Sequence, residues 1–197
     1  MITIVNTHPA ENAAFTDGLS RIITELGLEC RVISGYEGTG ALQSDDRVIL
    51  SGVPLDVKYS LEDVRTQREI DRAFAWLRDY QGAVLGICFG HEVLAHIFGG
   101  DVASLARPVK DPRYRLRFSS EFPRGIFSGI DECGVFAEHL QYVSAVPEPF
   151  NVLSQKDGIP YVMYHPGREF YGVQFVPERS DSRCKDALRR FVSGRGG

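Results

Sequence analysis

The sequence predicts an α/β fold of three layers, a mainly parallel sheet flanked by helices, with a smaller mixed, antiparallel strand region in the C-terminal half. Three observations carry this expectation. Short β-branched runs alternate with helical spacings up to Gly100, the pattern of βαβ units. One run, Ala83-Val84-Leu85-Gly86-Ile87, is apolar throughout, as in a strand buried on both faces, and it passes at once into a helical pattern. After Gly100 the strand-like runs are short and are separated by Pro and Gly turns.

The elements follow in order. Residues 2–5 read as a first strand, Asn6-Thr7-His8-Pro9 as its turn, and Phe15, Leu19, Ile22, Ile23 and Leu26 stand at helical spacing. Gly27 closes that helix. Residues 28–33 make a second strand, 34–44 a polar, Gly-rich loop, and 47–50 a third strand ending at Ser51-Gly52-Val53-Pro54. A helix centred on Ile70, Phe74 and Leu77 leads to the apolar strand at 83–87, and Val93, Leu94, Ile97 and Phe98 share one face of the next helix. Gly99-Gly100 ends it, because glycine takes the left-handed capping conformation at little steric cost. Strands are expected at 101–105, 114–118, 134–137, 150–154, 161–164 and 170–175, with a hairpin at His165-Pro166-Gly167-Arg168. A last helix over 182–192 buries Leu188, Phe191 and Val192.

Composition bounds the function. The 197 residues, 43% hydrophobic and 24% charged, suit a single domain over 1–197 with a sizeable core. A formal charge of −4 argues against general nucleic-acid or anionic-membrane binding, so neither partner is expected. Cys30, Cys88, Cys133 and Cys184 are scattered, with no CxxC pair and no metal-ligand spacing. That points to a reduced, cytoplasmic protein without a metal site. No stretch reads as a targeting or spanning segment. Gly35, Gly38 and Gly40 lack the dinucleotide fingerprint, and no cofactor is expected. Arg107, Lys110, Arg113, Arg115 and Arg117 surround Asp111 alone; a solvated edge strand that resists edge pairing explains them better than an anionic partner does.

The chemistry concentrates in Gly86-Ile87-Cys88-Phe89-Gly90. A thiol with glycine at both second neighbours, between a strand and a helix, has the spacing of a nucleophile elbow. The turn is tight enough to demand glycine, and it presents the nucleophile, exposed, at a helix N-terminus that favours a thiolate.

Together with Tyr171-Gly172-Val173-Gln174-Phe175-Val176-Pro177-Glu178, the elbow Gly-Ile-Cys-Phe-Gly-His-Glu resembles a class I glutamine amidotransferase domain, of flavodoxin-like architecture. The nearest pattern within the family is that of the free-standing amidotransferase subunits of GMP synthase. The resemblance implies a Cys thiolate that attacks the side-chain amide of glutamine, a His–Glu pair as base and orienter, and ammonia passed to a partner synthetase. By position Cys88 matches the nucleophile and Glu178 the acid, but the family's His falls on Val176, which neither accepts nor donates a proton. The backbone N–H groups of Val53 and Phe89 match the oxyanion hole, although Val53 stands where the family usually has a second glycine after Gly52. Gly52, Glu92, Glu138 and His139 match substrate-binding positions. Glu92 replaces the usual Gln, and Glu138-His139 replaces a Ser-His pair. Two carboxylates beside a thiolate site would raise the thiol pKa and repel glutamine.

His139 is the candidate surrogate for the missing proton donor, with His91 second and His8, His96 and His165 behind them. The expected activity is therefore a weakened amidotransferase acting on glutamine or a related small amide. The alternatives are an inactive binding or regulatory protein of this fold, and a Cys88-dependent hydrolase or transferase for another amide or ester.

Overall fold

The computed structural model describes residues 1–9, 13–38, 40, 42–55, 59–110, 113–122 and 124–194. The side chains of Phe15 and Arg113, and residue Asp111, lie outside the described residues.

Seven strands form the central sheet: β1 (Ile2–Asn6), β2 (Cys30–Ser34), β3 (Arg47–Leu50), β4 (Ala83–Ile87), β9 (Asn151–Lys156), β10 (Ile159–Tyr164) and β11 (Phe170–Val173). Their order is β2-β1-β3-β4-β11-β10-β9. The first five are parallel, and β10 and β9 close the sheet antiparallel. Two antiparallel pairs complete the strands: β5 (Asp101–Val109) with β8 (His139–Ala145), and β6 (Arg113–Arg117) with β7 (Glu132–Phe136).

The strand alternation sorts the core into two layers. Ile4, Ile49, Leu85 and Ile87 pack on one face with Leu19 and Ile23 of helix α1 (Ala13–Glu25) and Leu188 and Phe191 of helix α4 (Ser182–Ser193). Val5, Val48, Leu50 and Val84 pack on the other with Ile70 and Phe74 of helix α2 (Val64–Phe74) and Val93 and Leu94 of helix α3 (Phe89–Ile97). Each such side chain contributes about 1.5–3 kcal/mol on burial. Helix ends are set locally. Asp63 caps α2 by accepting from the Arg65 N–H, and Asp181 caps α4 by accepting from those of Arg183 and Cys184, each worth about 1 kcal/mol. No helix among the described residues is long and apolar enough to cross a membrane.

The three-layer expectation holds, with local corrections. Strand β5 runs to Val109 rather than 105, and β11 stops at Val173 rather than 175, although the Gln174 N–H still donates to the Tyr161 carbonyl of β10 at 2.9 Å. Strand β8 has no counterpart among the strands expected from sequence. The cysteines are not all reduced, because Cys133 of β7 and Cys184 of α4 form a disulfide, while Cys30 and Cys88 are free. In the basic segment, Arg115 and Arg117 pair across the ladder with Glu132.

Candidate active site

Cys88 joins β4 to α3 with φ 52° and ψ −109°, a conformation that an L-residue adopts only when its surroundings impose it. Three constraints impose it here. The Cys88 N–H donates to the Val173 carbonyl oxygen at 2.8 Å, and the Cys88 carbonyl accepts from His91 and Glu92, at 3.0 and 3.2 Å, to start the helix. A Cβ on Gly86 would sit 2.7 Å from the Gly90 carbonyl carbon, and one on Gly90 would sit 2.8 Å from that of Leu50. Both flanking glycines are therefore required by backbone crossing backbone.

The sulfur does not stand free. Cys88 is only 4% exposed and forms part of the wall of a cavity of about 410 Å³, shared with Val53, Phe89, Glu92, Glu138 and His139. Its Sγ donates to the Glu138 carbonyl oxygen at 3.6 Å. Burial pushes the thiol up, and the charge of Glu92 pushes it further; the Phe89 N–H opposes this, and Glu178 and Glu138 add to it. The helix N-terminus was expected to favour a thiolate, but dehydration and nearby carboxylates outweigh it.

The acids occupy different environments. Glu92 is 2% exposed, and its Oε1 accepts from the Gln174 side-chain amide at 2.9 Å. Burial raises its carboxyl to about 8, with Gln174 pulling the other way, so it is a neutral acid at pH 7 rather than the carboxylate expected. Glu138 instead faces a cation, with its Oε2 3.3 Å from Arg179 Nη1. Glu178 lies in the 3₁₀ turn Pro177–Arg179 beside Gly18 of α1. Burial raises it to about 7, and its Oε2 is buried with no hydrogen-bond partner among the described residues. Val176, the position on which the resemblance places the family's His, is buried, and its N–H donates to the Phe136 carbonyl.

Of the histidines, only His139 lines the cavity. Its Nδ1 lies 2.8 Å from the Gln141 carbonyl and its Nε2 3.3 Å from the Tyr161 hydroxyl, so both ring nitrogens are engaged away from the sulfur. Burial lowers its pKa. His91 is fully buried against Gly172, where a Cβ would run into its ring. Neither ring nitrogen has a partner among the described residues, and burial brings it down to about 3. His96 pairs with Asp71 at 3.0 Å, His165 sits among Phe98, Phe150 and Phe170, and His8 meets the Tyr59 ring edge-on. Gly52 is buried and does not form the wall.

Three groups were not singled out from the sequence. Gln141 lines the cavity and holds its far wall, accepting from the Leu61 N–H at 3.2 Å and donating to Ser60 Oγ at 2.7 Å. Its position two residues after His139 on one strand face was the available signal. Tyr59 covers Phe89, and Gln174 orients Glu92.

The family model described as "Glutamine amidotransferase class-I" matches residues 11–193. Anthranilate synthase component 2, pyocyanine specific, of Pseudomonas aeruginosa is 38% identical over 174 residues, which cover 84% of this chain and 80% of that protein. The glutamine-hydrolysing GMP synthase subunit of Methanosphaera stadtmanae is 30% identical over 162 residues, 81% of each chain. Among solved structures, a protein assigned as a GMP synthase subunit, from Thermoplasma acidophilum, superposes with a TM-score of 0.75 at 20% identity. The match covers 98% of this chain and 93% of that one, a likeness of fold.

Proposed function

The chain belongs to the class I glutamine amidotransferase family, and on that footing we propose that it releases ammonia from glutamine for a partner synthetase, at a rate weakened by Val176. One observation carries the reading: Cys88 is seated in a strained elbow at a cavity, its sulfur donating to the Glu138 carbonyl and not to an imidazole, and Glu178 is buried with its Oε2 unpartnered among the described residues.

In this reading the Cys88 sulfur attacks the side-chain amide carbon of glutamine. The developing oxyanion is received by the backbone N–H groups of Val53 and Phe89, a contribution worth about 3–4 kcal/mol per donor in comparable sites. Glu92, Glu138 and His139, which line the cavity, position the substrate; Gly52 lies outside its wall. The charge that was expected to repel glutamine is reduced, because Glu92 holds its proton and Arg179 faces Glu138. Ammonia departure requires a proton, and His139 would have to release Tyr161 to supply it. Loss of a general acid or base costs about 10²–10⁴ in rate, less damaging for a thiol nucleophile than for a hydroxyl.

A second reading, a binding protein without turnover, is favoured by the raised thiol pKa. Ammonia release from glutamine, alone and with the synthase component of an anthranilate or GMP synthase, separates the two. The proposal expects release above a Cys88→Ala control. Release equal to that control in both settings favours the binding protein.

A further inference from the structure

We propose that the carboxyl group of Glu92 is the proton-transfer partner of Cys88, in the role that residue 176 does not fill. This rests on the reading of Cys88 as a nucleophile and deepens it.

The geometry supplies the argument. Residues 88 and 92 bracket the first turn of α3, and both line the same cavity. Their backbones are joined by the Glu92 N–H donating to the Cys88 carbonyl at 3.2 Å. Gln174 fixes Oε1 at 2.9 Å, while Oε2 belongs to a side chain on the cavity wall. A carboxyl clamped at one oxygen on a cavity wall is an oriented proton carrier. The other titratable groups lining this cavity are Tyr59, Asp63 ahead of α2, and Glu138 and His139 at the start of β8; Glu178 acts on Cys88 from outside the wall. Arg179 occupies Glu138, the Arg65 N–H occupies Asp63, and Gln141 and Tyr161 occupy His139. Glu92 is the cavity acid that burial leaves protonated at neutral pH. The glutamine that the family resemblance expects at this position has no proton to transfer.

The step balances. The Cys88 sulfur forms a bond to the amide carbon as the carbon–nitrogen bond breaks. The thiol proton passes to one oxygen of Glu92 while the hydroxyl proton of the same carboxyl passes to the departing nitrogen. Ammonia leaves, and Glu92 ends in its starting state. Water then attacks the thioester, and its proton returns to sulfur through the same carboxyl.

The test compares the full chain with Glu92→Gln and Glu92→Asp, with Cys88→Ala as blank. Three rates are read: ammonia from glutamine, acylation of Cys88 by p-nitrophenyl acetate, whose leaving group departs without a proton, and pH-dependent alkylation of Cys88 by chloroacetamide. Glu92→Gln is expected to lower ammonia release about 10²–10⁴-fold and ester acylation by a smaller factor, because the ester's leaving group needs no proton although the thiol must still lose one. It should also abolish an inflection in the alkylation profile at about pH 8. Glu92→Asp, which keeps a carboxyl, should retain part of the release. Ammonia release by Glu92→Gln as fast as or faster than by the unsubstituted chain would overturn the proposal, as would coinciding alkylation profiles. Should the unsubstituted chain release no more ammonia than Cys88→Ala, the glutaminase reading fails, and the alkylation profiles still decide for or against Glu92.

Discussion

The Cys88 N–H donates to the Val173 carbonyl oxygen at 2.8 Å, fastening the elbow to the last residue of β11. The chain leaving that strand passes through Gln174, which clamps Glu92, to Val176 and Glu178, whose Oε2 has no partner among the described residues. Cys88 and Glu178 therefore depend on one strand end, with Val176 two residues before Glu178 in the chain.

That geometry makes a stability prediction. Gly90→Ala and Gly86→Ala each drive a methyl group into backbone, not into a side chain that can turn away. Each should lose about 1–3 kcal/mol or more by urea denaturation, as overpacked sites do. An unchanged midpoint for either would mean that the crossing is looser than described.

Stability should also depend on pH. Glu92 and Glu178 keep their protons in the folded chain up to about 8 and about 7, against 4.5 when unfolded. The folded state thus binds more protons over that window, and stability falls as pH rises through it, levelling above about 8 for these two groups. His91, down to about 3 when folded against 6.5 unfolded, acts oppositely, adding stability as pH rises to 6.5. Between pH 6.5 and 8 the two acids are the shifted groups that titrate among the described residues, so the urea midpoint should decline there. Glu92→Gln should flatten most of that decline, measured as midpoints at half-unit pH steps.

The Cys133–Cys184 bridge joins β7 to α4, on either side of the turn that carries Glu178. Cys133→Ser with Cys184→Ser should cost about 2–4 kcal/mol, the usual range for such a crosslink, read as a lowered midpoint. Alkylation of the unfolded, unreduced protein should mark Cys30 and Cys88 alone.

How much was legible follows from burial. Strands β1, β3 and β4 are covered on both faces, and their continuous apolar runs revealed them. Strand β8 was not read because its buried positions are His139, Gln141 and Val143, while Leu140 is 40% exposed; the alternation is inverted in polarity. The Cys133–Cys184 pair lies 51 residues apart with no spacing signature. The elbow and the Val176 departure were local facts of sequence. The state of each acid was not, because it depends on Gln174 and Arg179, residues remote in the chain from Glu92 and Glu138.

The most direct measurement is ammonia release from glutamine by Val176→His beside the unsubstituted chain and Cys88→Ala. Restoring an imidazole between Cys88 and Glu178 is predicted to raise the rate about 10²-fold or more, with Cys88→Ala silent. A rate unchanged or lowered in Val176→His would contradict the claim that the missing imidazole is what limits this site.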